Sequence, residues 1–494
     1  MSREYDRLFE IGREVTLLSH TGALLNWDQE TYMPSGAVAE RADQLAMIEG
    51  LIHDRLAGKE ASGLLADVSA EEPSEKAFLR FIRREHERRI KLPKEFVMDM
   101  AREKSKAINV WQEAKTKNDF SLFAPHLETI VSLMRKKSSY LGYAKHPYDA
   151  LIDEYEPGAD TEGIRKVLAT VESFLKTYVR KIASAPQVDS SFLAKTYPVQ
   201  MQESFGRVVL EAMRFDSSRG RLDVSAHPFT TTLGSDDVRL TTRYGTDDFP
   251  SSLFSIIHEA GHGLYELGIA SDLKGNLLAT GTSLGMHESQ SRFWENIIGR
   301  SLPFWEHFFP LLRTCFFENL SAVSAVDFFR AVNKVEPSLI RTEADEVTYN
   351  LHIILRFNLE LMLMDGECKV KDLPALWNSC MKELLGITPH SDSTGVLQDI
   401  HWASGLFGYF PTYTLGNLYA AELYAFLLKD VPDAEARIRE GDFLPILSWL
   451  RQNVHRFGAA CTAEELITRI SGASLDPSYF ISYIEKKFGS IYSI

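Results

Sequence analysis

The segment FSIIHEAGHGLYEL, residues 254–267, contains an HExxH pattern between His258 and His262. Residues four apart lie on the same face of a helix, so both imidazoles can reach one metal ion. Glu259, offset by one position, is close enough to take a proton from a water beside that ion without ligating it. Two histidines and a carboxylate, with an open position for water, form the usual site of a hydrolytic zinc. The pattern therefore predicts metal-dependent hydrolysis with Glu259 as the base.

Two glycines, Gly261 and Gly263, flank the second histidine of the pattern. Each costs a helix interior about 1 kcal/mol relative to alanine. In a helix that is otherwise well patterned, they break a local rule without helping the fold, as is expected at functional sites. We expect the glycines to let a strand or a substrate backbone approach the helix closely.

The third metal ligand must come from another part of the chain. After His262 the sequence continues GLYELG with no histidine close behind Gly268, which excludes the HExxHxxGxxH pattern. The segment MHESQSRFWENIIGR, residues 286–300, is a second candidate helix, and its Glu288 can complete a set of two histidines and one carboxylate. His287 is the alternative ligand, but it lies one position away and is expected to face elsewhere.

Apolar residues recur at three- and four-residue spacing through most of the chain, which predicts a mostly α-helical protein. The clearest helical stretches are Tyr5–Leu25, Ala77–Phe96, Ile164–Val179, Tyr349–Met364 and Asn417–Leu428. The region from Leu222 to Tyr244 differs, because it is rich in Thr and Val and partly alternates with a period of two. Its turn at residues 234–236 predicts a β-hairpin, and hence a small antiparallel β-sheet beside the HExxH helix.

The composition excludes several classes of protein. With 45% hydrophobic residues, the chain of 494 residues can bury a large core and is not disordered. Its net charge of -14 suits neither nucleic acid nor anionic lipid, so we expect neither as a partner. Four cysteines are too sparse for a disulfide framework or a CxxC zinc site. The charged first residues are unlike a signal peptide, and no run of about 18 apolar residues occurs, so we expect a cytoplasmic protein without a membrane span.

Six short motifs occur in order between His227 and Trp402. They are HPF at His227–Phe229, DxRxT at Asp237–Thr241, HExxH, HESQ at His287–Gln290, IRxxAD at Ile340–Asp345 and GxxQDxHW at Gly395–Trp402. With this set and its length, the chain resembles the carboxypeptidase Taq family of metallocarboxypeptidases.

The resemblance implies a large, mostly helical protein with two lobes around a deep cleft. It also implies a divalent metal, usually zinc with cobalt able to substitute, and release of single residues from peptides with a free C-terminal carboxylate. By position it implies the ligands His258, His262 and Glu288, with Glu259 as the catalytic carboxylate. Members of the family are typically homodimers.

Length alone suggests about three domains. Since the motif residues must converge on one ion, we expect instead a single metallocarboxypeptidase domain over residues 1–494.

The loop sequence HWASGLFGYFPTYTLG supplies candidates for the donor that stabilises the oxyanion. We favour His401 together with Tyr409 or Tyr413, because a glycine-rich aromatic loop after a motif histidine suits the wall of a cleft. The alternative is that both tyrosines pack in the core with satisfied hydroxyls.

A carboxypeptidase must also bind the free C-terminal carboxylate, for which arginine offers bidentate geometry. Arg341, Arg356 and Arg239 are the candidates. If one unbroken helix held both Arg341 and Arg356, they would lie on neighbouring faces. The alternative is that each arginine is a buried structural partner of an acid, with Asp345, Glu360 and Asp237 as the acids in the same order.

The region of the predicted hairpin carries two further polar groups. His227 precedes a proline and is therefore biased to an extended backbone, where it can contact substrate or cap the sheet. Asp237, Arg239 and Thr241 alternate along a strand and share one face, where a structural salt-bridge ladder is the favoured role.

Two other functions stay open on the sequence alone. One is an endo-acting oligopeptidase or dipeptidyl carboxypeptidase with the same site of two histidines and one glutamate. The other is a non-catalytic helical peptide-binding protein with a relict metal site. The intact Glu259 argues against the second, because binding alone requires no general base.

Overall fold

The computed structural model describes residues 2–494, and within that range the chain forms 21 α-helices and three β-strands. The helices are α1 Arg3–Thr31, α2 Val38–Ala57, α3 Lys59–Asp67, α4 Pro73–Lys91, α5 Lys94–Lys117, α6 Phe120–Leu141, α7 Asp149–Ile152, α8 Thr161–Ala183, α9 Val199–Ala212, α10 Phe249–Leu267, α11 Leu284–Arg292, α12 Leu302–Cys315, α13 Phe317–Leu320, α14 Ala325–Val332, α15 Tyr349–Asp365, α16 Leu373–Leu385, α17 Pro411–Asp430, α18 Ala434–Glu440, α19 Leu444–Asn453, α20 Ala463–Ser471 and α21 Ser478–Tyr492. The strands are β1 Gly220–Val224, β2 Thr230–Gly234 and β3 Asp237–Thr242. Short 3₁₀ turns occur at Ser35–Ala37, Ser191–Ala194, Ser271–Leu273, Arg341–Glu343, Val370–Asp372 and His455–Ala460, and a π-helical segment occurs at Phe293–Gly299.

The predicted helical character is confirmed, and local signals set several helix boundaries. The stretch predicted from Ala77 to Phe96 is divided between α4 and α5 at Pro93, because the residue before a proline is disfavoured in helical conformation. α10 begins after Asp248, whose carboxylate accepts a hydrogen bond from the N–H of Ser251. α11 begins after Ser283, whose hydroxyl accepts one from the N–H of Met286. These two caps fix where the helices of the HExxH and HESQ motifs start.

The small sheet is mixed, with strand order β1-β3-β2, so the prediction of a purely antiparallel sheet was wrong in this respect. β2 and β3 form the predicted antiparallel hairpin, whereas β1 pairs with β3 in parallel. The reason lies in the connection from β1 to β2, which crosses the end of β3. Two backbone hydrogen bonds fasten this crossing to β3, from Ser225 N–H to the Thr242 carbonyl and from Thr241 N–H to the Phe229 carbonyl. Local hairpin signals do not reveal such a crossing.

Alternation along β3 places its two faces in different surroundings. Val238 and Leu240 are fully buried and face α10. Arg239 points to the other face, where its guanidinium lies 4.2 Å from the ring centroid of Trp27 on α1. On β2, Thr230 is paired with Leu240 and therefore shares the face toward α10. The sheet thus presents two apolar side chains and the hydroxyl of Thr230 to the HExxH helix.

The chain divides into two compact units, each built from three separate segments. The first comprises Met1–Ile90, Asp189–Val332 and Tyr419–Leu475, and contains the sheet, α10 and α11. The second comprises Lys91–Val188, Asn333–Leu418 and Asp476–Ile494, and contains α15 and the loop that follows residue 400. No helix within residues 2–494 is both long enough and apolar enough to cross a lipid bilayer.

Candidate metal centre

Helices α10 and α11 bring three ligand atoms together. His258 and His262 lie one turn apart on α10, and Glu288 lies on α11. The Oε2 atom of Glu288 is 3.6 Å from Nε2 of His258 and 3.5 Å from Nε2 of His262. In the part of the chain that the structure describes, these three residues are the one group of metal-ligating side chains whose atoms all lie within 4.8 Å of one another.

These separations fit a divalent cation. Ligands placed tetrahedrally about 2.0–2.1 Å from a zinc ion are about 3.3–3.4 Å apart, close to the distances between Glu288 and the two histidines. Each histidine has its Nδ1 atom engaged in another hydrogen bond, so the Nε2 atoms are available as ligands. The donor set is therefore the one that hydrolytic zinc sites use.

Gly261 allows α11 to approach α10 this closely. A Cβ atom at Gly261 would lie 2.5 Å from the carbonyl oxygen of Gln290 and 2.7 Å from Cα of Ser291, both on α11. Any side chain there would push α11, and with it Glu288, away from the two histidines. Gly263 faces the sheet instead, where a Cβ atom would lie 3.0 Å from the side chain of Leu240. Gly261 thus lets the backbone of α11 approach α10, and Gly263 leaves room for the side chain of Leu240 on β3.

Glu288 is oriented by a hydrogen bond to its far oxygen. Arg292, one turn later on α11, donates from Nε to Oε1 of Glu288 at 2.7 Å, so that Oε2 faces the histidines. Against the effect of burial, the guanidinium of Arg292 holds the pKa of Glu288 well below its usual range. The carboxylate is therefore ionised and presents one oxygen to the ion site.

The outer nitrogen of His258 is bound by Glu295, a residue that the sequence analysis did not identify. Nδ1 of His258 lies 2.9 Å from Oε2 of Glu295, which also pairs with Arg292 and Arg300. Against the effect of burial, the hydrogen bond from His258 and the two arginines lower the pKa of Glu295 to about 2. The ionised carboxylate accepts a hydrogen bond from Nδ1–H, so Nε2 of His258 keeps its lone pair toward the ion site.

One signal could have revealed Glu295. It lies seven residues after Glu288, and residues seven apart share a face of an α-helix. The α-helix predicted over residues 286–300 is in fact α11 continued by the π-helical segment Phe293–Gly299, which carries Glu295. π-Helical turns are rare and often occur at functional sites, and a 3.6-residue periodicity does not predict them.

The alternative ligand, His287, lies behind His262. Its Nδ1 is 2.6 Å from Nδ1 of His262, and its Nε2 is 2.8 Å from Oε1 of Glu266. Burial and the nearby His287 lower the pKa of His262 to about 3. Despite burial, Glu288 and the other carboxylates around His258 raise the pKa of that ring. The two candidate ligand histidines therefore have different outer partners, a carboxylate for His258 and an imidazole for His262.

Glu259 lies beside the ion site and is held by the sheet. The hydroxyl of Thr230 on β2 lies 2.6 Å from Oε2 of Glu259 and 2.9 Å from its backbone carbonyl. Glu259 is 7% exposed, and burial raises its pKa. A raised pKa suits a group that must take up a proton and later release it. Thr230 directly follows the HPF motif, which ends at Phe229, and no sequence pattern marks it as a partner of Glu259.

The other two candidates on the first unit are Arg239 and His227. Arg239 makes two hydrogen bonds to Asp237, of 3.0 and 2.9 Å, and its guanidinium stacks on Trp27. The pairing of Arg239 with Asp237, expected from the sequence if Arg239 has a structural role, is therefore present. His227 is exposed between β1 and β2, and its backbone carbonyl accepts a hydrogen bond from the hydroxyl of Ser225.

On the second unit, Arg341 and Arg356 share one carboxylate. Nε and Nη2 of Arg341 donate to Oδ1 of Asp399 at 3.0 and 2.8 Å, and Nε of Arg356 donates to Oδ2 at 2.7 Å. The partner is thus Asp399, not the Asp345 or Glu360 that the structural alternative named. Arg341 begins a 3₁₀ turn whereas Arg356 lies on α15, so no single helix holds both. Against the effect of burial, the two arginines hold the pKa of Asp399 well below its usual range.

His401, Tyr409 and Tyr413 form one aromatic cluster. Nε2 of His401 lies 3.2 Å from the hydroxyl of Tyr413, and the ring of Tyr409 lies 5.5 Å from that of His401. Burial lowers the pKa of His401 to about 4. Both tyrosines are half-buried rather than enclosed in the core. At neutral pH the cluster therefore offers a neutral imidazole and two phenols.

The loop that carries this cluster is anchored by Glu360 on α15, another residue whose role the sequence did not indicate. Oε1 of Glu360 accepts from the indole N–H of Trp402 at 2.9 Å, and Oε2 accepts from the N–H of Gly408 at 3.0 Å and from the hydroxyl of Tyr148. Burial raises the pKa of Glu360 to about 7. Gly408 has φ of 87°, and a Cβ there would lie 2.6 Å from the backbone of Leu151, so only glycine fits.

Comparison with known proteins identifies the family. The family described as carboxypeptidase Taq (M32) metallopeptidase matches residues 7–488. The chain belongs to this family. It is 41% identical to thermostable carboxypeptidase 1 of Thermus thermophilus, with 99% of both chains covered. It is likewise 41% identical to the protein of that name from Pyrococcus furiosus, with 96% of both covered. The predicted family is confirmed, and the protein is a metallocarboxypeptidase that requires a divalent metal.

Solved structures of this family agree with the fold. The M32 carboxypeptidase of Deinococcus radiodurans superimposes with a TM-score of 0.97, at 37% identity and with 100% of both chains covered. The carboxypeptidase of Pyrococcus furiosus gives a TM-score of 0.95 at 40% identity, with 99% of both chains covered. The mostly helical fold predicted from the sequence is thus that of the M32 metallocarboxypeptidases.

In this metallocarboxypeptidase, Thr230→Val should lower kcat by about 10–100-fold. The change removes the hydroxyl that orients Glu259, and a hydrogen bond to a charged group contributes about 1.5–3 kcal/mol. Thr230→Ser, which keeps the hydroxyl, is the matched control and should retain most of the activity. Steady-state kinetics on a reporter peptide with a free C-terminal carboxylate checks the result, and the metal content is measured on the same samples. Equal kcat in the Val and Ser variants would show that Thr230 does not orient the base.

Proposed function

We propose that the protein is a zinc-dependent carboxypeptidase, with cobalt able to substitute, that releases single amino acids from peptides with a free C-terminal carboxylate. The observation that carries the proposal is the group His258, His262 and Glu288 beside the buried carboxylate of Glu259. Zinc accepts two imidazoles and one carboxylate in a four-coordinate site with one position left open. Similarity to proteins named carboxypeptidases supports the same activity.

When held by these three residues, the ion would lower the pKa of a water and polarise the scissile carbonyl. The residues of the chain supply the rest. Glu259 accepts the proton of the attacking water at Oε1, because its Oε2 is engaged by Thr230, and later gives the proton to the leaving amine. His258 and His262 keep their protons on Nδ1 and donate hydrogen bonds from there to Glu295 and His287, so both Nε2 atoms stay free of protons.

For the oxyanion donor we propose His401 with Tyr409 and Tyr413. A neutral imidazole and the phenol hydrogen-bonded to it can donate hydrogen bonds to the developing oxyanion without any change in their own charge. Their place in and just after the GxxQDxHW motif supports this role.

For the substrate carboxylate we propose Arg341, with Arg356 holding Asp399 behind it. Arginine binds a carboxylate with two parallel hydrogen bonds, and Asp399 takes only Nε and Nη2 of Arg341, whose Nη1 donates to the hydroxyl of Tyr349. Arg239 and His227 are further proposed substrate-binding residues.

We also propose that the protein is a cytoplasmic homodimer and that residues 1–494 act as a single catalytic domain. The resemblance of the motifs to a family of homodimers supports the dimer, and the four sparse cysteines support the cytoplasm. The match to the family from residue 7 to residue 488 supports the single domain, because it runs through segments of both units.

The test is a product analysis on one peptide. The metal-loaded protein is incubated with a free-acid peptide and with the same peptide amidated at its C-terminus, and the products are followed by mass spectrometry. We expect a ladder that loses single C-terminal residues from the free acid and no products from the amide. A chelator should abolish the ladder, and zinc or cobalt should restore it.

Each other outcome contradicts a stated part of the proposal. Released dipeptides or internal cuts would favour a dipeptidyl carboxypeptidase or an oligopeptidase. Peptide binding without hydrolysis in the zinc-loaded protein would favour the non-catalytic function. If preference for the free acid survives replacement of Arg341, Arg356 and Arg239 by alanine, the arginine assignment is wrong.

A further inference from the structure

The two proposed metal-ligating histidines, His258 and His262, have different hydrogen-bond partners at Nδ1, the ring nitrogen that faces away from the ion site. His258 is bonded directly to a carboxylate, that of Glu295. His262 is hydrogen-bonded to His287, and His287 is hydrogen-bonded to Glu266. A second imidazole therefore lies between the ring of His262 and the carboxylate of Glu266. His262 and Glu266 are one turn apart on α10, and His287 lies on α11. The packing of two helices therefore builds a chain of carboxylate, imidazole and metal-ligating imidazole.

Only one placement of protons along this chain leaves His262 able to bind a cation. An ionised carboxylate only accepts hydrogen bonds, so Nε2 of His287 donates to Oε1 of Glu266. In the neutral ring Nδ1 of His287 then carries no proton and accepts from Nδ1 of His262. His262 is left with a lone pair on Nε2, the atom that faces Glu288. The reversed chain would direct an N–H of His262 at the ion site and exclude a cation.

We propose that Glu266 and His287 are positioning residues for His262: they fix its tautomer and ring orientation and thereby set the affinity of the site for its divalent cation. The inference rests on the proposed metal site and extends it to two side chains that do not touch the ion. His287 thus acts through His262.

The surroundings of His287 hold it in the orientation that this role needs. The ring centroids of His262 and His287 are 4.6 Å apart, and the ring of Tyr265 lies 5.3 Å from that of His287. Glu266 is 7% exposed, and its Oε1 also lies 3.3 Å from the N–H of Gly281. A Cβ at Gly281 would lie 2.6 Å from Cδ2 of His287, so the glycine leaves room for the ring. Packing alone would not require the nitrogen atoms of the two imidazoles to meet.

The test separates the shape of the ring from its hydrogen bond. His287→Phe keeps a planar ring but removes the acceptor for Nδ1 of His262. His287→Asn loses the ring but places an amide oxygen near the same position, where it can still accept. Each apoprotein is titrated with Co²⁺ alone, followed by the visible absorption of the bound ion, and the affinity is obtained by competition with a chelator.

We expect the Co²⁺ affinity to fall about 10–100-fold in His287→Phe, the usual effect of removing an outer partner of a metal-ligating histidine. The affinity of His287→Asn should stay within a few-fold of that of the parent protein. His53→Phe, the same change at an exposed position of α2, should leave the affinity unchanged. Thermal unfolding of each apoprotein shows whether the fold is retained.

Equal affinity in the parent protein and His287→Phe overturns the proposal, and so does an equal loss in the Phe and Asn variants. Failure of the parent protein itself to bind Co²⁺ contradicts the proposed metal site instead. If His287→Phe does not fold, NMR of the zinc-loaded parent protein with ¹⁵N-labelled histidines decides the question. The proposal requires His287 to carry its proton on Nε2, and a proton on Nδ1 overturns it.

Discussion

Glu259→Gln should lower kcat by a factor on the order of 10²–10⁴ while leaving the metal content of the protein unchanged. Glutamine has nearly the shape of glutamate but cannot take a proton from the attacking water. The proposed metal ligands are His258, His262 and Glu288, so the exchange leaves all three in place. Single-turnover and steady-state kinetics on a free-acid peptide, with elemental analysis of the same preparation, check both halves of the expectation.

The fold should tolerate this exchange. The hydroxyl of Thr230 can donate to the amide oxygen of Gln as it does to Oε2 of Glu259. The exchange also removes a buried charge, whose cost the raised pKa of Glu259 reports. Glu211→Gln, the same change at an exposed position near the end of α9, is the control and should have full activity. Full turnover in a metal-replete Glu259→Gln variant would refute the general-base role.

The ligand group could be proposed from the sequence because its constraints are largely local. The two histidines lie one turn apart on one helix, a relation fixed by helical geometry whatever the rest of the chain does. Glu288 is only a short distance further along the chain, on a helix that the pattern also indicated. The close contact of α10 and α11 had a local signal too, since Gly261 is where a Cβ would meet the backbone of the second helix.

The outer partners have weaker local signals: only the seven-residue spacing from Glu288 points to Glu295, and none relates His287 to Glu266. Glu295 lies in a π-helical segment, and which way its side chain points depends on a widened turn that hydrophobic periodicity does not report. The pairing of His287 with Glu266 depends on the exact side-by-side placement of two helices. The parallel pairing of β1 with β3 depends on a crossing connection, whereas hairpin rules describe neighbours in sequence.

The partner of the two buried arginines shows the same limit. The nearby Asp345 was the acid suggested for Arg341, but its carboxylate instead accepts from the N–H groups of Val347 and Thr348 just before α15. Burial raises its pKa to about 6. The actual partner, Asp399, is far away in sequence, and no local pattern relates it to either arginine.

Asp399→Asn should lower the free energy of unfolding by about 3–5 kcal/mol, because it leaves two buried guanidinium groups without a carboxylate. Asp237→Asn is the matched control. It removes the carboxylate that pairs with a single arginine, Arg239, and the side chain of Asp237 is exposed to solvent. That change should cost no more than about 1 kcal/mol. Urea denaturation of the apoproteins, followed by circular dichroism, measures both. Equal losses would contradict the view that burial makes Asp399 indispensable.

Arg356→Met extends the argument, because the buried trio of Asp399, Arg341 and Arg356 carries a net positive charge. Removing Arg356 leaves Asp399 paired with Arg341, so no buried charge is left uncompensated. Methionine also retains apolar contact with Trp377, whose ring centroid lies 4.6 Å from the Arg356 guanidinium. We therefore expect Arg356→Met to be less destabilising than Asp399→Asn. The opposite order would mean that Arg356 itself, and not the shared carboxylate, holds this part of the second unit together.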